Sequence, residues 1–310
     1  SGMMVDVGAE AAQLPAWESG QRVPPLFYAD DQAMAATGQE GLAKQTQYLE
    51  RYCRRWGLTV NTQKTQVVIY GNTAPRTEGC FEFEGLSIER VPDFKYLGVK
   101  LHTTHAFCSA AGARAVSGRQ SAHILGRRMA QCGLGDSPLL GLELFDAYVR
   151  PVLSYVAEVW GPQLILSALR GKGADPCERV HTQFLRRLLG VSDTCSTLVV
   201  MAETGREPLA IQWVRQTVGF LNKLLACDET RLAKQALIDN MALAASGTST
   251  GRGRQCWAAE VGEILQLLGG PELSAAPESF NVEELSEAAS SLHHSRYSQG
   301  ESTMVTRYQE

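Results

Sequence analysis

Between Val23 and about His102 the pattern of apolar and polar positions is mixed, short strand-like alternation around one helical stretch, and after Thr104 the chain turns helical. VPPLFYADDQAMAAT reads as two short strands around an Asp-Asp turn. GLAKQTQYLERYCRRWG spaces Leu42, Leu49, Tyr52, Cys53 and Trp56 as a helix does, and Gly57 ends it as a C-terminal cap. TQVVIYG is a strand with Val67 and Ile69 on one face, and CFEFEGLSIERV alternates on both sides of Glu84-Gly85, predicting a hairpin. FKYLGVKL predicts one further strand. Helical spacing marks 108–132, 138–160, 176–190 and 206–245, with Leu142, Phe145, Tyr148, Val149, Val152 and Tyr155 forming one apolar stripe. SGTSTGRGR at 246–254 is a flexible connector, and CWAAEVGEILQLLGG one more short helix. Residues 1–22 lack a period and read as a loop or the stub of a missing upstream domain. From Pro271 onward the chain is acidic, Ser-rich and unpatterned, so disorder is expected there. The fold class expected is α+β. A small antiparallel sheet with a packed helix occupies 23–104, a helical region 105–245, and a linker, short helix and acidic tail 246–310.

Composition changes this picture little, but charge distribution adds to it. The 310 residues are 44% hydrophobic and 20% charged, as in an ordinary globular chain with a core. No apolar run approaches a membrane span and no signal peptide is visible, so an intracellular protein is expected, nucleus and cytoplasm not being distinguished. The eight cysteines are never closer than eighteen positions and form no CxxC pair, which argues against a zinc ribbon and for free thiols. Net charge is −4, yet residues 51–190 hold 18 basic against 11 acidic side chains. A basic block amid acidic flanks is either a solvated face or a surface for a polyanion.

Tyr28-Ala29-Asp30-Asp31 is the central chemical signal. An Asp at a turn is ordinary. Here, however, two carboxylates share one hairpin tip, with Leu26 and Phe27 before it and Ala33, Met34 and Ala35 after it on strands expected to be buried. Like charges so placed call for a cation, and hard oxygen donors select Mg²⁺. Paired Mg²⁺ ions are how polymerases activate a 3′-hydroxyl and stabilise the leaving pyrophosphate. His102-x-x-His105-x-x-Cys108 offers three metal-capable side chains without a fourth, and reads instead as a strand-to-helix junction. Arg127-Arg128 and Arg186-Arg187 lie on helices with apolar backs, and serve either template–primer backbone contact or solvation.

The order of these elements resembles the reverse transcriptase family, and specifically its non-LTR (LINE-type) retrotransposon branch. The Y-A-D-D turn corresponds to that family's motif C, the helix and G-L-T-V-N-T-Q-K-T at 57–65 to motif D, and F-K-Y-L-G-V at 94–99 to motif E, the primer grip. The likeness continues through DAYVRPVLSY and EVWG at 146–161, RVHTQFLRRLLG at 179–190 and ETGREPL at 203–209, helical stretches that follow the palm in LINE-type elements. The resemblance implies a partial reverse transcriptase palm at 23–104 followed by a thumb-like helical region. It implies Asp30 as metal ligand and catalytic residue, Asp31 as the second acidic ligand, and Tyr28 and Ala29 beside the primer end and incoming nucleotide. It makes Lys64 the group that protonates or stabilises the leaving pyrophosphate, and places Tyr96, Leu97 and Gly98 in the primer grip. It implies an RNA template, a DNA primer, dNTPs and two Mg²⁺ ions.

One departure is serious. The family's motif A supplies another catalytic Asp upstream of motif C, with motif B between them, and Asp6 lies too close to Asp30 to leave room for it. The chain alone is therefore expected not to polymerise. A non-catalytic nucleic-acid-binding remnant and a group II intron maturase, which shares the Y-A-D-D turn, are the alternatives. The acidic 271–310 segment is expected to compete with nucleic acid, so that its deletion would strengthen binding.

Overall fold

A computed structural model of the chain describes residues 23–36, 38–70, 81–103, 107–135, 137–172, 175–246, 255–275 and 278–298. Asp6, Cys80, His105 and most of the 246–254 connector lie outside them. The chain divides into two compact units: Ser1–Phe94 with His102–Thr104 and Glu229–Asp239, and Lys95–Leu101 with His105–Asp228 and Asn240–Glu310.

In the first unit, β1 (Leu26–Tyr28) and β2 (Asp31–Ala33) form an antiparallel hairpin in the register Leu26↔Ala33 and Tyr28↔Asp31. Helix α1 (Gln39–Trp56) follows and stops at Gly57, whose left-handed φ of 66° only glycine adopts at little cost. Gln45 of α1 donates to the Ala35 carbonyl at 2.8 Å, tying the exit of the hairpin to the helix. Cys53, Phe83 and Ile88 are buried as a small core, with Leu49, Val60, Val67 and Phe81 packed against it. Strand β3 (Gln66–Val67) pairs parallel with β5 (Leu86–Arg90), and β4 (Phe81–Phe83) pairs antiparallel with β5 on its other edge. The Glu84-Gly85 turn expected from the alternation is present, with both φ values positive, the combination that a two-residue hairpin loop twisting with its strands requires. Glu50 of α1 accepts the Glu84 backbone N–H at 2.6 Å, so the helix also secures this turn. Where a single antiparallel sheet was expected over this region, the described residues form three small sheets, one containing a parallel pair.

FKYLGVKL is not one strand. It is a hairpin of β6 (Asp93–Tyr96) and β7 (Val99–His102), turning at Leu97-Gly98. Both turn residues have positive φ, 45° and 83°, which reverses the chain where uninterrupted apolar spacing suggested continuation.

The second unit is helical. Its first helix, α2 (Cys108–Gln131), is followed by α3 (Pro138–Tyr148), α4 (Arg150–Leu153), α5 (Ala157–Trp160), α6 (Pro162–Leu169), α7 (Pro176–Leu188), α8 (Thr197–Thr204) and α9 (Leu209–Leu225). Then come α10 (Leu232–Ala245), whose first turns belong to the other unit, α11 (Trp257–Leu267) and α12 (Val282–Ser298). The single helix expected over 138–160 is broken into α3, α4 and α5. Pro151 can occupy the first turn of a helix but not an interior position, and Val156 takes a left-handed φ of 57° that no helix continues through. Of the expected stripe, Leu142, Phe145 and Val149 are buried, whereas Tyr148 and Tyr155 face solvent. Trp160 and Trp213, both essentially fully buried, meet edge to face at 5.2 Å. Each indole N–H finds an acceptor, Trp160 on the Tyr155 carbonyl and Trp213 on Ser154 Oγ, as buried tryptophans require.

The stretch expected to be unpatterned is ordered over 278–298. Helix α12 packs on α9 with Phe280, Leu285 and Ala289 buried. Asn222 of α9 brackets the Phe280 backbone, donating to its carbonyl and accepting its N–H at 2.9 and 2.8 Å. Small Ala and Ser residues supply much of this face, so apolar periodicity missed it. Deleting 271–310 removes part of this core and should destabilise the unit rather than simply free a basic surface.

Asp175 caps α7, accepting the backbone N–H of Cys177 and Glu178 at 2.7 and 3.1 Å. Burial nonetheless pushes its carboxyl up to about 6 from 3.8, the neighbouring Glu178 adding to the rise and the two N–H bonds opposing it. A carboxyl raised on folding favours the protonated native state, so this contribution is complete below pH 3.8 and is lost as pH rises through about 6. Asp175→Asn keeps a capping oxygen and cannot ionise. It should flatten the fall in stability over that window and raise stability at pH 7 by on the order of 2 kcal/mol. Urea titrations at pH 4 and pH 7 measure this, and an unchanged pH slope would count against it.

Candidate functional site

The hairpin tip places Tyr28, Ala29, Asp30 and Asp31 on one turn. Ala29 takes a left-handed φ of 51°, which reverses the chain so that Tyr28 and Asp31 become cross-strand partners. Both carboxylates are exposed. The flanking strands are not buried as expected: Leu26, Phe27 and Tyr28 are 42%, 66% and 64% exposed. Among the described residues β1 pairs only with β2, and its successive side chains, which point to opposite faces, are all exposed.

Two adjacent carboxylates supply hard oxygen donors suited to a Mg²⁺ ion, and their exposure leaves coordination positions for water or phosphate oxygens. The donor set is partial. Among the described residues no group of three or more His, Cys, Asp or Glu side chains gathers to hold a metal. That includes His102, half-buried at the end of β7.

Lys64 lies in the same unit on a separate loop, exposed. Its backbone N–H donates to the carbonyl and to Oδ1 of Asn61, at 3.1 and 3.2 Å, and Thr65 bonds the same carbonyl through both N–H and Oγ1. Asn61 therefore shapes the loop that presents Lys64, a role the motif reading did not assign. An Asn three residues before the lysine is the available signal, because its side chain mimics a turn.

Tyr96, Leu97 and Gly98 sit at the 93–102 hairpin. Tyr96 is half-buried on β6 and Leu97 is 36% exposed at the tip. Residues 95–101 belong to the helical unit, as do the four arginines.

Those arginines separate into two kinds. Arg127 and Arg128 are exposed on α2, as is Arg187 on α7. Arg186 is half-buried and spends its guanidinium internally, donating through Nε and Nη2 to the Cys195 carbonyl at 3.1 and 2.8 Å and through Nη2 to Thr197 Oγ1 at 2.8 Å. It pins the 190–197 loop to α7, so its guanidinium is engaged within the fold. Two exposed residues join the α2 surface, Arg119 and His123, eight and four positions before Arg127. Positions four apart lie along one helix face. Helix α2 contains no Asp or Glu at all, so this face presents positive charge without internal neutralisation.

Residues 10–101 match the family model for reverse transcriptase (RNA-dependent DNA polymerase). The matched segment takes in the Asp30-Asp31 turn, α1, the Lys64 loop and most of the 93–102 hairpin. The match supports a reverse transcriptase assignment for this segment, with RNA-directed DNA polymerase as the activity and nucleic acid and dNTPs as the partners the family implies. No curated protein and no solved structure matches the chain. Among the described residues no helix is long and apolar enough to cross a membrane.

Proposed function

We propose that the chain carries palm motifs C, D and E and the thumb-like helical region of a non-LTR (LINE-type) retrotransposon reverse transcriptase, acting in DNA synthesis on an RNA template. The observation that carries this reading is the exposed Asp30-Asp31 turn lying inside the segment that matches the reverse transcriptase family. The helical stretches DAYVRPVLSY, EVWG and RVHTQFLRRLLG support the LINE type, and they supply Leu153, Trp160 and Leu185 to the interior of the second unit.

Asp30 and Asp31 would hold Mg²⁺. The ions' chemistry is to lower the pKa of the primer 3′-hydroxyl and neutralise charge developing on the triphosphate. Lys64 places an ammonium at the departing pyrophosphate, where it donates a proton or offsets charge. Tyr28 and Ala29 flank the primer end, and residues 96–98 hold its backbone. Arg119, Arg127 and Arg128 bind phosphates of the template–primer duplex without reading sequence. A second reading, nucleic-acid binding without catalysis, draws on the absence of a third acidic side chain beside the turn among the described residues.

Fluorescence anisotropy with an RNA–DNA duplex tests the binding surface. Affinity should fall steeply with salt, because each neutralised phosphate releases condensed counterions. Replacing Arg119, Arg127 and Arg128 together by Ala should reduce the log–log salt slope by roughly 2–3. Arg186→Ala should leave the slope unchanged and lower thermal stability instead. Absence of binding at low salt would refute the reading.

A further inference from the structure

Resting on the reading of residues 93–102 as the primer grip, we infer that Tyr155 and Arg114 form a clamp that positions the Leu97-Gly98 turn for the primer. Both carbonyls of this turn are taken by side chains, Arg114 from α2 and Tyr155 from the turn between α4 and α5. Tyr155 Oη donates to the Leu97 carbonyl at 3.0 Å, and Arg114 Nη2 donates to the Gly98 carbonyl at 3.0 Å. The two side chains also brace each other, the Arg114 guanidinium lying over the Tyr155 ring at 5.4 Å. A Cβ built at Gly98 would stand 3.1 Å from Tyr155 Cε1, a tight contact, and its φ of 83° is one that side chains rarely adopt.

Strain on both sides of the contact argues that this is more than ordinary packing. Among the described non-glycine residues four have positive φ. Ala29 and Glu84 turn the β1–β2 and β4–β5 hairpins, as Leu97 turns that of β6 and β7. The other two, Leu97 at 45° and Val156 at 57°, lie at the two ends of the Tyr155 contact. Leu at the first position of such a turn lacks the Asn or Gly that makes it cheap, and a β-branched residue in the left-handed region is a genuine outlier. Residues are held this way only where the surroundings over-determine them. Here the surroundings are visible. Ser154, buried, receives the Trp213 indole N–H, and the Tyr155 carbonyl receives that of Trp160. The backbone around Tyr155 is thereby fixed to the aromatic core, and Val156 bends the chain so that the phenol reaches the turn. With its carbonyls turned to the helices, the hairpin tip is held in one conformation before a primer arrives, so ordering the turn adds no cost to binding.

Tyr155→Phe removes one hydroxyl and keeps the ring against Gly98 and Arg114, so the fold should persist. Arg114→Met removes the second donor, and Arg114→Lys restores a cation. In the full chain, hydrogen–deuterium exchange over residues 95–101 should accelerate by about 10-fold in Tyr155→Phe and Arg114→Met, and less in Arg114→Lys. Anisotropy should show the unaltered chain preferring an RNA–DNA primer–template with a recessed 3′ end over a blunt duplex of equal length. Both loss variants should reduce that preference while leaving blunt-duplex affinity and melting temperature nearly unchanged. Unchanged exchange in both variants overturns the clamp. A preference that survives both variants overturns its positioning role while the primer-grip reading stands. No preference in the unaltered chain overturns that reading and the positioning role with it.

Discussion

Asp30→Ala is expected to abolish primer extension in an enzyme made by joining this chain to the fingers and upstream palm of a related non-LTR reverse transcriptase. The loss should be at least roughly 10³-fold, because a charged group aimed at the reacting phosphate is worth several kcal/mol in a site that excludes water. Asp30 and Asp31 present two carboxylates on one exposed turn. A pair of divalent ions needs more oxygen ligands than these, and among the described residues no third acidic side chain joins them. Extension by residues 1–310 alone with Mg²⁺, template–primer and dNTPs should accordingly be undetectable. In the joined enzyme Lys64→Ala should slow extension by about 10²-fold without abolishing it, since water can replace a proton donor but not an anionic ligand. Single-turnover extension on a gel separates these outcomes. Full activity of the Asp30→Ala enzyme would sink the motif assignment, and robust extension by the unjoined chain would sink the argument from an incomplete ligand set.

The parts of this site that were legible in the sequence are those whose cause is local. Ala29 and Asp30 sit between two short apolar runs, and a turn there follows from composition and spacing alone. Gly57 ends α1 for a reason contained in one residue. What escaped depends on partners distant in the chain. Nothing in FKYLGV announces a reversal, because the side chains that bond the Leu97 and Gly98 carbonyls, Tyr155 and Arg114, lie 58 and 16 positions away. Arg186 and Arg187 are identical neighbours, and only the fold decides that one closes a loop while the other meets solvent. Helix α12 buries Ala289 and Ser286 as much as Leu285, so its contact face lacks the apolar contrast on which periodicity depends. The exposed strand β1 shows the converse. Its apolar sequence predicts burial, yet burial requires a second layer that no pattern within the strand can specify.

Glu178→Ala should be among the most destabilising single substitutions in the helical unit, by about 3–5 kcal/mol, for the same reason of distant partnership. Glu178 is 7% exposed on α7 and bonds with both carboxyl oxygens. Oε2 accepts the backbone N–H of Leu209 at 2.7 Å, and Oε1 meets His181 Nδ1 at 3.0 Å. Leu209 opens α9, whose N-cap is Pro208, a residue with no side-chain acceptor to offer. A carboxyl from another helix thus caps α9, at the end where the helix dipole favours negative charge. His181 is buried and stacked on Phe145 at 5.2 Å, so water cannot readily replace a lost partner. Alanine leaves two interior donor or acceptor groups unpaired, each costing about 1–3 kcal/mol. Glu178→Gln retains an oxygen for the Leu209 N–H and an amide that can face His181, so its cost should stay near about 1 kcal/mol. Urea denaturation compares the two, with Arg187→Ala as an exposed control on the same helix. Native-state exchange at the Leu209 amide should accelerate in Glu178→Ala and stay slow in Glu178→Gln. Equal and small effects of both substitutions would show that α9 is held by the packing of Trp213, Val214 and Leu221 alone, and not by its cap.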